Sequence, residues 1–549
     1  MLNLNTAMIS KKTLEAGQRE NSITANKTSQ SGTRSKDAAL NTVADGENGY
    51  YGSCNISQFV KHYDEALEKS FMDSVSENSY MQTCFSQISN LENTIAPNGK
   101  NQLNDAVRNF AAALQTAASS TEAASARTEL IASTRKIADT FNREYNELAG
   151  LRDSIAANNN SGSGSISNSL SSLKGLLEEL PAINDSIQRS AQNGSLSQKS
   201  AELREKRDDI VNEASKYINL DVTEESNSKY TVFFTDENTS SSCILVDGKT
   251  SPSKPANYLT ISMNVPTDAN PHYSPQITFH DSSSGKDSAV SLSEKSGQVK
   301  ALADVRTYIT GKMDSLYAYS REFGDANSTN PWRANRVYSK GESVASDGYA
   351  YKCTTGGASG SAQPSWNSIP GAATNDGGAV WTTEEFSAVN ASHMEGYDLD
   401  GNSGGKIFDA NSTQPSSGNI ISVSLVFASN PRKAALSPNP SETRNSDNVG
   451  NMLNTMNNPE STPALNGESI LSFPESYASA VSEDLRNTEH ATVTSENIEK
   501  MFQSAVYEKT SAGMDNEMTN MLSIQKAYQA AAKLINVLEQ MSQTVLAAG

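Results

Sequence analysis

A repeat of alternating three- and four-residue steps near the C-terminus constrains the fold of this chain more than any other feature of its sequence. The repeat passes through Met514, Glu517, Met521, Ile524, Tyr528, Ala531, Ile535, Leu538, Ser542 and Val545. Steps of this kind place side chains on one helix face, where a second helix must cover them. We therefore predict a heptad helix over residues 514–546, with packing positions at Met521, Ile524, Tyr528, Ala531, Ile535, Leu538 and Val545.

The N-terminal segment has a weaker pattern of the same kind. Residues 3–36 are rich in Ser, Thr and Asn, with scattered apolar residues at Leu4, Met8, Leu14 and Ile23. We predict a weakly amphipathic helix within residues 1–50 that depends on assembly. Because a sparse apolar stripe without a partner cannot offset the entropy of ordering, both ends of the free chain are expected to be mostly disordered.

The charge and hydropathy of the chain exclude several classes of protein. Its 549 residues contain 44 Lys and Arg against 63 Asp and Glu, a formal net charge of −19. Nucleic acids and anionic membranes would be repelled, so neither is expected as a partner. No apolar run approaches the roughly 18 residues of a membrane span, and residues 1–12 lack the basic and apolar regions of a signal peptide.

Between the two ends, the hydrophobic period predicts alternating helical and β segments. Helical spacing covers residues 55–95, 102–157, 170–190 and 197–217, and returns from Val299 to Phe323. A two-residue period at 230–234, 243–246, 258–263 and 276–279 predicts short antiparallel strands. Polar β-like sequence covers 390–426, and helices are expected from 467 to 546. The charged run at 204–209 is interpreted as a solvated helix face.

All three tryptophans lie close together in the sequence, at Trp332, Trp366 and Trp381, which predicts a small separate domain with its own core. The predicted division is a terminal helix at 1–50, a helical domain at 51–218 with 470–515, an outer domain at 219–325 continued at 389–465, the insert at 326–388, and C-terminal helices at 466–549. The predicted fold class is multidomain α+β with a small all-β insert.

The sequence offers little catalytic or metal-binding chemistry. The five histidines form no H-E-x-x-H motif and none has a carboxylate or cysteine at ligand spacing. The segment from Asp398 to Asn402 resembles the start of a calcium loop, but Ser403 occupies the position that needs glycine. The four cysteines form no C-x-x-C pair, which favours free thiols. We expect no enzyme activity, no cofactor and no metal.

The C-terminal repeat carries a resemblance to a known class of protein. It is similar to the C-terminal signature of bacterial flagellar axial proteins, an acidic E-M turn followed by Q-x-A-Y-x-A-x-A-x-x-I. The matching residues are Glu517, Met518, Gln525, Ala527, Tyr528, Ala530, Ala532 and Ile535. A looser match to the N-terminal signature covers Thr6-Ala7-Met8 and the segment from Ile23 to Arg34.

Three internal elements resemble the flagellar hook-associated protein 1 family of hook-filament junction proteins. They lie at 201–210, 297–306 and 393–401. The resemblance implies an extracellular structural subunit exported by the flagellar type III apparatus, whose terminal helices pair in an inner coiled-coil layer. It implies self-association in a ring or helical layer, contacts with the hook protein and the second junction hook-associated protein, and an export chaperone at the C-terminal helix.

Two alternatives remain open at this point. Flagellin or a hook-type subunit would share the terminal signatures but not the three internal elements. A surface adhesin or polysaccharide-binding protein would be organised around the tryptophan-rich insert, with the helical ends as an anchor.

The insert itself is similar to small chitin-binding-type carbohydrate modules, which stack sugar rings on exposed aromatic side chains. This resemblance implies a carbohydrate partner at Trp366, Trp381 and Tyr351. The insert departs from the pattern directly after Tyr351, where Lys352-Cys353-Thr354-Thr355 replaces paired tryptophans. The alternative interpretation is that the three tryptophans form the core of the insert.

Overall fold

The computed structural model of the chain describes residues 37–42, 54–60, 65–157, 163–192, 198–264, 273–324, 332, 334–346, 349–367, 369, 371–384, 388–411, 414–462, 465 and 467–508. Its contacts form two compact units. Unit 1 contains Met1–Ser89, Asp153–Thr307 and Glu483–Gly549, and unit 2 contains Asn90–Arg152 and Tyr308–Ser482. The predicted outer-domain segment 219–325 is shared between both units.

The described chain alternates long helices with short strands. The helices are α1 (Glu65–Ile95), α2 (Gln102–Ser119), α3 (Ala124–Ile155), α4 (Ser165–Gln192), α5 (Gln198–Ser215), α6 (Gly297–Phe323), α7 (Ala388–Met394), α8 (Leu425–Ser429), α9 (Asp447–Asn457) and α10 (Phe473–Glu508). The strands are β1 (Asp37–Thr42), β2 (Cys54–Val60), β3 (Asp221–Glu224), β4 (Tyr230–Thr235), β5 (Ser242–Val246), β6 (Tyr258–Asn264), β7 (Ser274–Asp281), β8 (Lys286–Val290), β9 (Val337–Tyr338), β10 (Ser343–Ser346), β11 (Tyr349–Thr355), β12 (Gly357–Ala358), β13 (Ala373–Asp376), β14 (Ala379–Glu384), β15 (Phe408–Ala410) and β16 (Ile421–Val423). The multidomain α+β class is confirmed.

The start of the described chain corrects two helix predictions. Strands β1 and β2 pair antiparallel, so the helix predicted within residues 1–50 does not include 37–42. The helix predicted from residue 55 begins at Glu65 instead. The reason is visible in β2, where Cys54, Ile56 and Val60 recur at even spacing, the two-residue period of a strand.

Unit 1 contains two three-stranded antiparallel sheets, with strand orders β3-β4-β5 and β6-β7-β8. The four strands predicted from the two-residue period are β4 to β7. The sequence missed the sheet edges β3 and β8. Most side chains of β8 are exposed, and those of β3 are exposed or half-buried. Edge strands of this kind need no apolar alternation, so the period could not identify them.

The charged run at 204–209 is only partly solvated, which corrects the interpretation as an outer face. The side chain of Arg207 is 1% exposed. Its guanidinium carbon lies 3.2 Å from the ring centroid of Tyr230, and Nη1 donates to the Ser228 carbonyl at 2.9 Å. Arg204 pairs with Glu224 at 2.7 Å. The run therefore joins α5 to the first sheet.

Unit 2 contains both helices and short strands. The helix predicted over 102–157 is two helices, because the backbone leaves helical geometry at Ser120. Ser120 has φ −146° and ψ 63°, and its backbone amide donates to the Ala117 carbonyl, three residues back. In its described residues, the segment predicted as β-like over 390–426 contains most of α7, the start of α8 and two three-residue strands, β15 and β16.

Two general features of the described residues bear on the sequence predictions. Cys84, Cys243 and Cys353 are free thiols, as predicted. Within the described ranges, no helix is sufficiently long and apolar to cross a membrane.

Candidate assembly end and inserted module

The end of an antiparallel helix pair in unit 1 is the candidate assembly site. Phe71 and Val75 of α1 form a buried cluster with Val506 of α10, and Leu67 and Phe502 pack against it. Further along the pair, the Ser495 hydroxyl donates to Asn78 Oδ1 at 3.2 Å, and the Thr492 hydroxyl donates to the Met81 carbonyl at 3.2 Å. The start of α1 and the end of α10 therefore lie together. We call this cluster the helix-pair end.

Polar contacts fix α1 near the helix-pair end. The Lys69 ammonium pairs with Asp73 at 2.6 Å and with Asp221 at 2.8 Å, and donates to the Leu220 carbonyl at 3.2 Å. Burial opposes the charged form of Lys69, but the two carboxylates outweigh it and raise its pKa. Burial also raises the pKa of Asp73, against the opposing effect of Lys69. These contacts tie the first turns of α1 to the segment that leads into β3.

The predicted packing positions lie outside the described residues. This holds for the heptad positions Met521, Ile524, Tyr528, Ala531, Ile535, Leu538 and Val545, and for the N-terminal positions Leu4, Met8, Leu14 and Ile23. The last described element before the C-terminal positions is α10, which ends at Glu508, six positions before Met514.

The element at 297–306, which carries part of the family resemblance, has a structural role in unit 1. Gly297 has a φ of +61°, and a Cβ atom there would lie 2.5 Å from the Tyr217 carbonyl carbon, so only glycine fits. The side chain of Arg306 is buried and donates to the Ala156 carbonyl at 2.9 Å and to the Tyr273 carbonyl at 2.7 Å. Asp304 accepts a hydrogen bond from the Tyr80 hydroxyl at 3.0 Å.

The element at 393–401 lies in unit 2, where internal hydrogen bonds hold it in place. Buried His393 donates from Nδ1 to the Gly405 carbonyl at 2.6 Å, and its Nε2 accepts from the Ala435 amide at 2.7 Å. Burial lowers the pKa of His393 to about 4, so the imidazole is neutral. A Cβ atom on Gly396 would lie 2.2 Å from Asn448 Nδ2. The fold therefore requires glycine at this position.

The calcium-like segment within this loop is already satisfied by protein groups. The Asp398 carboxylate accepts the backbone amides of Asp400 and Asn402 at 2.8 and 2.9 Å, and Lys433 Nζ donates to it at 2.8 Å. Burial alone would raise the pKa of Asp398, but Lys433 and the two amides lower it. Asp400 pairs with Arg432 at 2.6 Å. Among the described residues, no group of three or more His, Cys, Asp or Glu is placed to hold a metal ion.

A buried arginine that no sequence pattern predicts holds the segment next to this loop. Arg127 of α3 donates from Nε to the Thr121 carbonyl at 2.6 Å and from Nη1 to the Ala434 carbonyl at 2.6 Å. Burial lowers the pKa of Arg127 to about 10, and the nearby Arg432 adds to this effect. Bonding of a buried guanidinium to backbone carbonyls has no sequence pattern, because any residue supplies the acceptor.

The tryptophan-rich insert has its own small core. Its sheet has the strand order β10-β11-β14-β13, and β9 pairs separately with β12. Trp381 is 0% and Tyr351 is 1% exposed. The core cluster consists of Tyr338, Val344, Tyr351, Cys353, Ala379 and Trp381, with Trp332 and Trp366 packed against it as partly buried side chains.

A single buried carboxylate organises two of the tryptophans. Asp376 is 3% exposed, and its Oδ2 accepts the indole N–H of Trp332 at 2.7 Å and that of Trp381 at 3.0 Å. Its Oδ1 accepts the Gly360 amide at 2.7 Å. The sequence predictions give Asp376 no role of its own. The available signal was its position in a D-G-G turn between two short strands, five residues before Trp381.

The predicted sugar-stacking residues do not form an exposed aromatic face. Trp381 and Tyr351 are buried in the core, so their rings are not available to stack against a sugar, and this part of the prediction is corrected. Trp366 stacks on Tyr351 with ring centroids 4.0 Å apart and meets Trp381 edge-on at 5.8 Å. Core packing therefore accounts for Trp381 and Tyr351, and of the three predicted residues only Trp366 keeps partial exposure.

Comparison with known proteins gives two family matches on separate parts of the chain. Residues 88–337 match the model described as the flagellar hook-associated protein FlgK helical domain. Residues 508–548 match the model described as the flagellar basal body rod FlgEFG protein C-terminal region. The first match includes the elements at 201–210 and 297–306, and the second includes the predicted packing positions from Met521 to Val545.

Comparison with solved structures and curated proteins adds the following. The chain is similar to the flagellar hook junction protein FlgK from Burkholderia pseudomallei, with 14% sequence identity and a TM-score of 0.48. The alignment covers 80% of this chain and 99% of that chain. A search of the curated proteins finds no match.

Proposed function

Because this chain is a FlgK-type flagellar hook-associated protein, with a structural function in the bacterial flagellum, we propose that it joins hook to filament through pairing of its two terminal segments. In this proposal the segment at 514–546 packs its heptad positions against the N-terminal helix and against neighbouring subunits. The predicted outer domain contacts lateral neighbours, and the subunits associate in a ring or helical layer.

The helix-pair end is the observation that carries this proposal. It brings Phe71 of α1 and Val506 of α10 into one buried cluster. The chain enters α1 from the N-terminal side and leaves α10 toward the C-terminal side at this same place. Because both terminal segments connect to the described chain at this one place, we propose that their pairing has a lower entropic cost of loop closure than pairing of segments connected at distant places.

The proposed packing has an energy suited to assembly. Burying an apolar side chain of the size of Met521, Ile524 or Leu538 contributes about 1.5–3 kcal/mol. Without a partner this contribution is absent, while the entropy of ordering remains at about 1–2 kcal/mol per residue. The terminal segments are therefore proposed to order on assembly and to be disordered in the free subunit.

Limited proteolysis of the free subunit tests this proposal. About the first 40 and the last 40 residues should be removed before any cleavage inside α1, α3 or α10, because a segment without tertiary packing presents its backbone to the protease. The measurement is intact-mass analysis over a time course at low protease concentration. Assembled flagella serve as the control, in which both ends should resist. Ends that resist cleavage in the free subunit would contradict folding on assembly.

The proposed partners follow from the same role. They are further copies of this chain, the hook protein and the second junction hook-associated protein, with an export chaperone at the C-terminal helix. We place the protein on the extracellular part of the flagellum, after export by the flagellar type III apparatus without a cleaved signal peptide. We propose no enzymatic activity, in agreement with a structural family.

Carbohydrate binding by the insert is a second candidate function, favoured by one observation. Trp366 is only partly buried, and its ring stacks on Tyr351. A partly exposed indole can stack against a sugar ring. Retention of the full chain on chitin or peptidoglycan would support this function if Trp366→Ala abolishes it and Val337→Ala, at another exposed position of the insert, does not. Equal retention of the Trp366→Ala variant would contradict it.

A further inference from the structure

An aromatic cluster joins three helices within unit 2. Phe141 of α3 lies 5.2 Å from Tyr319 and 5.5 Å from Phe323 of α6, measured between ring centroids. Tyr319 stacks on Phe473 of α10 at 4.4 Å, and Phe473 lies 5.7 Å from Tyr477. Aromatic pairs at such distances each contribute about 0.5–1.5 kcal/mol beyond the burial of their surface, so this aromatic cluster stabilises the packing of α3, α6 and α10.

A carboxyl group without a partner is buried beside this cluster. Glu144 follows Phe141 by three positions on α3, which places both on one helix face. Its side chain is 2% exposed, and its Oε1 has no hydrogen-bond partner in the part of the chain that the structure describes. The neighbouring hydroxyls are engaged elsewhere, since Tyr319 donates to the Ile470 carbonyl and Tyr477 to the Lys312 carbonyl.

The ionisable groups that act on Glu144 do not neutralise its charge. Arg143 and Glu147 flank it on α3, and both side chains are exposed. Tyr319 of α6 and Tyr477 of α10 face it from the packed helices; burial raises the pKa of both hydroxyls, and the negative charge of Glu144 raises it further. Burial raises the pKa of Glu144 itself to about 8; Arg143 lowers it and Glu147 raises it further. An ionised Glu144 would be an unpaired buried charge.

We propose that the protonation state of Glu144 controls the packing of the aromatic cluster. In this proposal α3, α6 and α10 pack firmly when the carboxyl is neutral and loosen when it ionises. The unfolded chain releases this proton near the ordinary pKa of 4.5, whereas the folded unit holds it until about pH 8. The contribution of the neutral Glu144 carboxyl to the free energy of unfolding is therefore complete below pH 4.5 and is lost as the pH rises toward 8. Unit 2 opens more easily at neutral and alkaline pH than in acid.

Hydrogen exchange of the full chain, measured by mass spectrometry between pH 6.5 and 8 and corrected for intrinsic exchange rates, tests the proposal. This range avoids the titration of His393 in the same unit, which lies at lower pH. In peptides from α3, residues 313–323 and residues 473–482, the opening equilibrium constant should rise roughly tenfold. In Glu144→Gln, which keeps the shape without the charge, it should change less than twofold. Glu144→Met provides a second neutral variant.

Exposed Glu147, one turn from Glu144 on α3, provides the matched control. Glu147→Gln removes a carboxylate but should keep the tenfold rise of the natural chain. Three results would overturn the proposal. The first is a rise in the opening constant of the same size in both Glu144 variants as in the natural chain, and the second is loss of the rise in Glu147→Gln as well as in the Glu144 variants. The third is loss of exchange protection in both neutral Glu144 variants at pH 6.5. The last result would mean that the cluster needs the carboxyl rather than tolerating it.

Discussion

Replacing Tyr528 and Ile535 together with Asp should abolish incorporation of the subunit at the hook tip. Both residues occupy heptad positions, seven residues apart, on the proposed packing face. An unpaired carboxylate buried in such a seam costs several kcal/mol, and two of them exceed the roughly 3–6 kcal/mol that the natural side chains contribute. The measurement is the amount of subunit on purified hooks, together with filament attachment and swimming.

The control for this variant places the same charges one position after the heptad positions, outside the proposed packing face. Gln529→Asp with Asn536→Asp adds two carboxylates directly after the heptad positions, where they face away from the packing face. This variant should incorporate normally. The described body should stay folded in both variants, as judged by helix content in circular dichroism. Filaments that attach normally in the Tyr528→Asp and Ile535→Asp variant would show that the heptad assignment is wrong.

Replacing Asp376 with Ala should unfold the tryptophan-rich insert while the helical parts of both units remain folded. The substitution removes the acceptor of two indole N–H groups and one backbone amide. A buried donor without an acceptor costs about 1–3 kcal/mol, so the loss is about 3 kcal/mol or more. Because all tryptophans of the protein lie in the insert, tryptophan fluorescence measures this loss directly. We expect a red-shifted emission maximum and a lower urea midpoint.

Asn375→Ala is the matched control for this second prediction. Asn375 lies on the same strand, and its side chain is exposed. Its removal should change the urea midpoint of the insert little. If Asp376→Ala and Asn375→Ala have the same midpoint as the natural chain, Asp376 does not organise the core.

The hydrophobic period predicted the long helices and the strands with a buried face well, and the mostly exposed strands poorly. Helices α4, α5 and α6 and strands β4 to β7 lie within a few residues of the predicted ranges, because each buries one regular face. Strand β8 has a mostly exposed surface and therefore no period. The break between α2 and α3 was missed, because the apolar stripe continues on both sides of Ser120.

Local sequence could not predict which polar residues are buried. Arg207 belongs to a charged run that reads as a solvated face, yet the Tyr230 ring covers it. Glu144 and Asp376 are both buried carboxylates, one without a partner at Oε1 and one with three donors. These environments depend on residues distant in sequence or on backbone groups, which carry no side-chain signature.

The sequence identified the elements at 297–306 and 393–401 by their resemblance to a family. It did not predict the structural roles of their residues. Gly297 and Gly396 are required by close backbone or side-chain approach, and Arg306 by two carbonyl acceptors. In the insert, the spacing of the aromatic residues indicated a separate module, but it did not distinguish an exposed platform from a core. Burial of Trp381 and Tyr351 made that distinction.

The position of this protein on purified flagella tests the central claim most directly. The measurement is immunogold electron microscopy with antibodies raised against the described body of the chain. The proposed role predicts a single narrow band of label between hook and filament on each flagellum. Label along the whole filament, along the hook, or on the cell surface away from flagella would contradict it.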